Sequence, residues 1–235
     1  MEHHDEIERI SQVYETQYKP DPKDRRYPWN ARNPISLYYR QALEKIVVKL
    51  FNDMDIDLEP LKVLDVGCGT GGFLRYLTSI GATPEFLHGV DLMEYRIEQA
   101  RKLSPPTIDF YHGDAQKLAY PDFSFDMVSQ LTVFSSFHEE GLREKIAREM
   151  DRVLRPGGIL LWYDLRTGHS ATARGIELDA IVSFFPNYSM QRCSRIHPKW
   201  ASSLALRSIL LAEIAGNLPL LIKTHLLCFM KKPEG

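Results

Sequence analysis

The stretch VLDVGCGTGG, from Val63 to Gly72, contains glycines in the spacing GxGxxG directly after an apolar run. That spacing is typical of loops that hold a dinucleotide pyrophosphate at the N-terminus of a helix. Asp65, however, stands two residues before the first glycine, and its carboxylate would repel a pyrophosphate bound to this loop. A ligand with positive charge would instead be attracted. The loop therefore favours S-adenosylmethionine, which carries an ammonium and a sulfonium group and no phosphate.

Two further acids close the next two predicted strands. Asp91 follows the loop by about twenty residues, a spacing at which an acid can bind both ribose hydroxyls. Asp114 ends the third strand and precedes Ala115, and a carboxylate there can accept a hydrogen bond from the adenine amino group. Such acids also occur as ordinary turn residues. Because the carboxyl ends of parallel strands meet at one edge, we expect them to border one crevice with the glycine loop.

Short apolar runs and amphipathic segments alternate around these motifs. The apolar runs predict strands at 61–66, 86–92, 107–114, 125–134 and 158–164. Apolar residues at helical spacing predict helices at 35–51, 73–80, 93–103 and 142–153. This order predicts a parallel sheet with helices on both faces. The pattern is weaker after Asp164, where it indicates helices at 173–186 and 198–217 and strands at 187–196 and 223–232.

The order and spacing of several motifs resemble those of the class I methyltransferase family, which binds S-adenosylmethionine. The resemblance is carried by VLDVGCGTGG, HGVDL, YHGDA, FDMVSQLTVF and EMDRVLRPGGILLWYD, and it covers roughly residues 60 to 165. It implies an α/β fold with a Rossmann-like, doubly wound, seven-stranded and mostly parallel sheet. Helices would cover both faces of this sheet, and its last strand would be antiparallel.

The resemblance also implies which residues bind the cofactor. They lie at the ends of the first four strands and are Asp65, Gly67, Cys68, Gly69, Asp91, Leu92, Asp114, Ala115 and Gln130. Asp65 and the Gly67 backbone would bind the methionine part, and Gln130 would lie beside it. Asp91 would hold the ribose, and the leucine after it would pack on the adenine. The acid and the alanine after the third strand would bind the adenine edge.

A second resemblance extends over most of the chain. The phrases VFSSF, LLWYDLR, ARGIELDAIVSFFP and NLPLLIKTHLLCFMKK look like a group of small bacterial methyltransferases. Proteins of this group occur in cell-surface polysaccharide and natural-product pathways. The resemblance implies a small-molecule acceptor, such as a sugar or a natural-product intermediate, that is methylated on oxygen or nitrogen.

Two residues on the ligand edge of the predicted sheet are candidates for a general base. A hydroxyl or protonated amine acceptor must lose a proton during methyl transfer, so a base assists the reaction. His138 follows the fourth strand in VFSSFHEE, and Asp164 ends the fifth strand in WYD. The alternative for His138 is an exposed residue at the start of a helix, and the alternative for Asp164 is a helix cap or turn residue.

Arginines near these candidates suggest contacts with the acceptor. Arg166 stands two residues after Asp164, and Arg174 could bind an acidic acceptor or form a surface ion pair. Arg143, which follows the apolar Leu142, is interpreted as a surface residue without a role in the site.

The sequence also predicts the division of the chain. Residues 1–52 are interpreted as an N-terminal helical and aromatic lid segment, and residues 53–235 as the methyltransferase domain. Helical elements within 165–217 would cap the acceptor pocket. Tyr27 and Trp29 would contact the acceptor or exclude water from it. Alternatively, these aromatic side chains only attach the first helix to the core.

Composition excludes some function classes. The formal net charge of −2 over 235 residues provides no general attraction to nucleic acid. The three cysteines are widely spaced, and no His, Asp or Glu set has metal-ligand spacing, so we expect reduced thiols, no metal and a cytoplasmic location. No apolar run is long enough to span a membrane. The chain is expected to be a monomer or a homodimer.

Four other functions are alternatives to small-molecule methylation. A nucleic-acid methyltransferase acting on tRNA or rRNA is less favoured, because methylases of base amino groups often carry a [DN]PP[YF] sequence after the fourth strand, where this chain has SQLTVFSSF. A protein methyltransferase and a non-catalytic cofactor-binding protein remain alternatives, because a fold does not determine a function. A nicotinamide-dependent dehydrogenase is disfavoured by Asp65.

Overall fold

The computed structural model describes residues 2–17, 33–168, 170, 172–198, 204–216 and 223–235. The helices are α1 (Glu2–Gln17), α2 (Pro34–Asp53), α3 (Gly72–Ser79), α4 (Glu94–Leu103), α5 (Glu140–Val153), α6 (Leu178–Phe184) and α7 (Ile209–Gly216). The strands are β1 (Val63–Val66), β2 (Leu87–Asp91), β3 (Asp109–His112), β4 (Phe125–Leu131), β5 (Leu154–Leu165), β6 (Ser189–Pro198) and β7 (Lys223–Lys231). Short 3-10 turns lie at Pro84–Phe86 and Phe134–Ser136.

The described strands form one seven-stranded sheet in the order β3-β2-β1-β4-β5-β7-β6. Strand β1 is parallel to both β2 and β4, and the pairs β2–β3 and β4–β5 are also parallel. The Gly157 N–H donates to the Pro233 carbonyl and the Lys232 N–H donates to the Gly158 carbonyl. These partners run in opposite directions, so β7 is antiparallel to β5. The predicted α/β fold, with a mostly parallel sheet and an antiparallel last strand, is confirmed.

Several element boundaries differ from the predicted ones. Strand β5 begins at Leu154, four residues before the predicted start, and the pairing of β4 with β5 shifts register near Phe125. The helix predicted at 173–186 spans only Leu178–Phe184. The segment before it is held in a loop because the Gly175 and Ile176 amides donate to carbonyls at residues 168 and 165. Backbone hydrogen bonds between segments therefore override the local helical pattern.

The chain divides into two compact units. The first comprises Met1–Ser11, Asp57–Ser194 and Leu226–Gly235, and the second comprises Gln12–Ile56 and Arg195–His225. Fully buried aromatic side chains in the first unit include Trp162, Phe125, Phe134 and Phe229. The predicted division of the chain at residues 52 and 53 stays a prediction.

In the second unit, Tyr38 packs with Ala205 and Ala212. The rings of His197 and His225 lie 5.1 Å apart, and His197 also contacts Tyr38 with ring centroids 5.7 Å apart. None of the described helices is long and apolar enough to cross a membrane.

Candidate functional site

The glycine loop after β1 adopts a backbone conformation that favours glycine. Gly67, Gly69 and Gly71 have φ angles of 69°, 56° and 75°, all in the left-handed region. The Gly67 N–H donates to the Val90 carbonyl at 2.7 Å, and the Gly69 N–H donates to an Asp91 carboxylate oxygen at 2.9 Å. The end of β2 therefore holds the loop in place.

The loop glycines differ in what surrounds them. A Cβ on Gly67 would collide with the Val133 side chain, and a Cβ on Gly71 would lie 2.7 Å from the Phe110 ring. A Cβ on Gly69 would meet no atom closer than the Arg96 guanidinium at 3.6 Å. Packing against other side chains therefore explains two of these glycines, and Gly69 alone of the three lacks such a neighbour. No local pattern indicated that Val133 and Phe110 would cover the loop.

Asp65 is a buried carboxyl beside this loop. The Ser129 hydroxyl donates to Asp65 Oδ1 at 2.7 Å. Burial raises the pKa of Asp65 to about 7, the Ser129 hydrogen bond opposes this rise, and the charge of Asp91 adds to it. None of the described lysine, arginine and histidine side chains forms an ion pair with Asp65. Because a nearby cation would favour the ionised carboxyl, this pair of acids fits a positively charged ligand.

Asp91 contributes to the structure of the loop as well as bordering it. Its two carboxylate oxygens accept hydrogen bonds from the Gly69 and Met93 amides, each at 2.9 Å. A carboxylate has about four lone-pair positions, so capacity for ribose hydroxyls remains. The Leu92 side chain is partly exposed, and its carbonyl lies 3.0 Å from Nε2 of His112. The predicted contacts of Asp91 and Leu92 with a nucleoside stay predictions.

The acid after β3 is held by its own turn. The Gln116 backbone N–H and side-chain amide each donate to Asp114 at 2.9 Å. Asp114 and Ala115 are both partly exposed. This exposure leaves room for an adenine edge, and the predicted contact stays a prediction.

Gln130 and Cys68 are enclosed by protein. The Gln130 Oε1 accepts a hydrogen bond from the Val133 N–H at 3.0 Å, and its Nε2 donates to the Tyr163 carbonyl at 3.4 Å. Gln130 therefore orders the segment after β4 in addition to any contact with the cofactor. Burial raises the pKa of the Cys68 thiol, and a Cβ on Gly89 would lie 2.8 Å from its sulfur. Cys68 thus fills space between β1 and β2.

Asp164 holds the turn after β4. Its carboxylate oxygens accept hydrogen bonds from the Ser135 N–H at 3.2 Å and the Leu165 N–H at 2.7 Å. Burial raises the pKa of Asp164 to about 6, although hydrogen bonds from Ser135 and Leu165 oppose this rise. These contacts support the turn-residue alternative considered for Asp164, and its role as a base stays a prediction.

His138 lies directly beyond this turn and contacts the first helix. Its backbone N–H donates to Glu6 Oε1 at 2.5 Å, and its side-chain Nε2 is enclosed without a hydrogen-bond partner in the part of the chain that the structure describes. Burial lowers the pKa of His138, and the positive charge of Arg9 lowers it further. The imidazole is therefore neutral near pH 7 and has the protonation state that a general base requires.

Two residues of α1 that the sequence did not single out hold the His138 segment. Arg9 donates to both Glu6 oxygens, at 2.7 and 2.9 Å, and to the Ser136 carbonyl at 2.6 Å. More than 120 residues separate Arg9 from Ser136 in the chain. No local pattern in the acidic N-terminal sequence indicates this contact.

Arg143 is not a surface residue as the sequence predicted. Its Nε donates to the Phe134 carbonyl at 3.0 Å, and its Nη2 is enclosed without a hydrogen-bond partner. Burial lowers the pKa of Arg143, whereas the charge of Asp164 raises it. The prediction was wrong because α5 turns this side chain toward the segment after β4 rather than toward solvent.

The other predicted acceptor contacts comprise two described arginines and two aromatic residues that are not described. Arg166 forms an ion pair with exposed Glu177 at 3.2 Å, and the Arg174 side chain is exposed while its backbone N–H donates to the Ser135 carbonyl. Tyr27 and Trp29 lie outside the described residues. Within the part of the chain that is described, no three His, Cys, Asp or Glu side chains are placed to hold a metal ion.

The chain is similar in sequence to known methyltransferases. Residues 64–162 match the family model described as a methyltransferase domain. The chain is 37% identical over 150 residues to the phthiotriol/phenolphthiotriol dimycocerosates methyltransferase of Mycobacterium tuberculosis, covering 63% of this chain and 50% of that protein. It is 36% identical over 135 residues to the fatty-acid O-methyltransferase of Mycolicibacterium smegmatis, covering 56% of this chain and 48% of that protein. The chain therefore spans about half the length of these curated relatives.

Solved structures share the fold. An S-adenosylmethionine-dependent methyltransferase from Mesorhizobium loti superposes with a TM-score of 0.60 at 16% identity, covering 78% of this chain and 96% of that one. At this identity the likeness concerns the fold alone. Residues 64–162 therefore match a methyltransferase domain in sequence, and the chain shares its fold with a solved S-adenosylmethionine-dependent methyltransferase.

Proposed function

We propose that the protein transfers a methyl group from S-adenosylmethionine to a small-molecule acceptor. When bound, this cofactor supplies a methyl group on a positively charged sulfur. The observation that carries the proposal is the pair of acids at the glycine loop, Asp65 and Asp91, of which Asp65 is buried without an ion-pair partner among the described residues. A cationic ligand would lower the free-energy cost of ionising the buried Asp65 carboxyl, whereas a pyrophosphate would raise this cost by charge repulsion.

Different residues at the strand ends would bind different parts of the cofactor. Asp65 would accept hydrogen bonds from the ammonium group, and Asp91 would use its remaining lone pairs for ribose hydroxyls. Asp114 and Ala115 would contact the adenine edge. Because Asp91 already accepts the Gly69 amide, binding of a ribose would be coupled to the conformation of the loop.

The acceptor is proposed to approach the segment after β4. A neutral His138 with an enclosed and unpartnered Nε2 supports a role in accepting a proton from an acceptor hydroxyl or amine. The curated relatives are named for lipid and fatty-acid acceptors, which supports a small molecule over a nucleic acid or a protein. Oxygen or nitrogen methylation is equally compatible with this base.

Ligand-dependent thermal unfolding tests the cofactor. S-adenosylhomocysteine should raise the melting temperature and NADH should not, because only a ligand that binds the native state stabilises it. Asp65→Asn should abolish the shift, whereas Glu98→Gln, an exposed acid on α4, should retain it. Stabilisation by NADH instead of S-adenosylhomocysteine would contradict the proposal.

Turnover separates an enzyme from a cofactor-binding protein. A tritiated methyl donor, incubated with the protein and with lipid and polar metabolite extracts, should label a small molecule. His138→Gln should lower the turnover number without changing the dissociation constant of S-adenosylhomocysteine. Cofactor binding without labelling of any fraction would favour the non-catalytic alternative.

A further inference from the structure

Charged side chains from several elements surround the turn after β4. They are Glu6, Arg9, His138, Arg143, Asp164 and Arg174, and we refer to them as the turn cluster. All of them belong to the first compact unit. The charges of Arg9, Glu6, Arg174 and Arg143 all act on the pKa of His138, so these groups lie close enough to share one environment.

The two acids of the turn cluster are already engaged in hydrogen bonds. Both oxygens of Glu6 accept from Arg9, and Oε1 also accepts from the His138 backbone N–H. Both oxygens of Asp164 accept from backbone amides. These carboxylates therefore serve the fold and do not complete the hydrogen bonding of the remaining side chains in the cluster.

Two nitrogen atoms of the turn cluster are enclosed and have no hydrogen-bond partner among the described residues. They are Nη2 of Arg143 and Nε2 of His138. A guanidinium nitrogen can only donate, whereas an imidazole nitrogen donates or accepts according to its tautomer. Enclosed polar atoms are normally paired, and each unpaired one calls for an explanation. An oxygen-bearing ligand would satisfy Arg143 and would also lie within the surroundings of His138.

Resting on the proposed function, we propose that the methyl acceptor carries a carboxylate and that Arg143 binds it beside His138. Guanidinium and carboxylate groups have matching geometry, and such charged hydrogen bonds are stronger than neutral ones. The charges of Asp164, Glu140 and Glu6 already act on Arg143, so the unpartnered Nη2 atom, and not an excess of positive charge, favours a carboxylate there.

The first turns of α1 must move away from the turn after β4 for this ligand to bind. Glu6 and Arg9 attach this part of α1 to Ser136 and His138 through hydrogen bonds. The charge of Glu6 also acts on Arg143, so α1 lies near the proposed carboxylate site. We expect the carboxylate to take a place beside Arg143 when these contacts are displaced.

Calorimetry with matched acid and amide pairs tests the proposal. Butyrate, benzoate and decanoate, each compared with its amide, are titrated into protein saturated with S-adenosylhomocysteine. At least one acid should bind about tenfold or more tightly than its amide, since loss of one charged hydrogen bond costs about that factor. Arg143→Gln should remove the preference for the acid, and Arg143→Lys should retain part of it. Arg148→Gln, at an exposed arginine on the same helix, should leave it unchanged.

The outcomes separate this proposal from its premise. Equal affinity for acid and amide in every pair, or a preference that survives Arg143→Gln, would overturn the carboxylate site. A loss in Arg143→Gln of both acid and S-adenosylhomocysteine binding would assign Arg143 a structural role and would also overturn it. Failure of the wild-type protein to bind S-adenosylhomocysteine would refute the proposed function instead.

Product analysis then shows how the carboxylate is used. A labelled methyl group released by mild alkali identifies an ester, in which a carboxylate oxygen has displaced the sulfur and the sulfur has kept the bonding electron pair. A label that resists alkali identifies a carboxylate that only anchors the acceptor. Either product supports binding by Arg143 when the preference for the acid depends on that residue.

Discussion

The loop after β1 and the turn after β4 each contain a buried carboxyl with a raised pKa. Burial raises the pKa of Asp65 to about 7 and that of Asp164 to about 6. Asp65 receives a hydrogen bond from the Ser129 hydroxyl and lies near the charge of Asp91. Asp164 receives hydrogen bonds from the backbone amides of residues 135 and 165 as well as from the Ser135 side chain. The two carboxyls are thus similar in burial and different in their partners.

This difference shows that burial and a raised pKa alone do not identify a binding residue. Backbone donors use both oxygens of Asp164, so that carboxylate stabilises the turn. Asp65 keeps acceptor capacity and has a second acid nearby, which is an arrangement that a cationic ligand completes. Around the turn, the atoms that lack partners are nitrogens of Arg143 and His138. The two regions therefore suit ligand groups of opposite charge.

The largest loss of stability is expected at Gly67, where the loop after β1 contacts the turn after β4. Gly67→Ala should lower the free energy of unfolding by about 2 to 5 kcal/mol, because it adds left-handed strain and a collision with Val133. Gly69→Ala has a similar φ but no close neighbour, so we expect a loss of about 1 to 2 kcal/mol. Urea unfolding of both variants measures the difference. Equal losses would mean that packing between the loop and the turn contributes nothing.

Cofactor affinity should depend on one of the two carboxyls. Asp65→Asn should raise the dissociation constant of S-adenosylhomocysteine about 100-fold or more, which corresponds to about 3 kcal/mol. Asp164→Asn should change it by less than about threefold, because Asp164 is directed at backbone amides. Isothermal titration calorimetry on both variants is the measurement. Comparable losses in the two variants would remove the distinction drawn between the regions.

Stability should respond to the same two substitutions with opposite signs. Above about pH 7, Asp65→Asn should raise the free energy of unfolding by about 1 to 3 kcal/mol, because the ionised carboxyl is desolvated. Asp164→Asn should lower it by about 1 to 3 kcal/mol, because asparagine offers one acceptor oxygen where two backbone N–H groups donate. Urea unfolding at about pH 8, without ligand, measures both changes.

The pH dependence of the stabilisation expected for Asp65→Asn provides a control. Burial raises the pKa of Asp65 from 3.8 in the unfolded chain to about 7. Such a carboxyl contributes stability that is present below its unfolded pKa and is lost as the pH rises through the folded pKa. The advantage of Asp65→Asn should therefore grow between about pH 4 and about pH 7 and then level off. An advantage that is independent of pH would point to a cause other than ionisation.

The smallest change in stability is expected at Glu6, through which α1 contacts the turn after β4. Burial raises the pKa of Glu6, but the hydrogen bonds from Arg9 and the His138 amide outweigh it and lower the pKa overall. Glu6→Gln should reduce the free energy of unfolding by about 1 kcal/mol near pH 7, and less in acid, where the wild-type carboxylate also becomes protonated. Thermal unfolding measures this change, with Asp5→Asn, an exposed acid on α1, as the control. A larger loss for Asp5→Asn would contradict the assigned role of Glu6.

The amino-acid sequence by itself determined the fold class, and it predicted the residues that are proposed to bind the cofactor. The glycine loop, Asp65 and Asp91 lie on one strand-loop-helix-strand segment, so local spacing was enough to place them at one edge of a parallel sheet. The periodicity of apolar residues also predicted β1 to β5 and the helices between them, although not the order of the strands in the sheet. Short-range patterns succeed here because each residue's role depends on neighbours within about one βαβ unit.

Only the tertiary structure decided the surroundings of the turn after β4. Arg9 and Ser136 are 127 residues apart in sequence, and no local pattern reports a contact over that distance. Whether Arg143 faces solvent or the turn depends on how α5 packs, and Asp164 holds the turn because β5 lies beside β4. Side-chain roles that depend on packing between distant segments have no counterpart in residue spacing, because many sequences with the same spacing can pack differently.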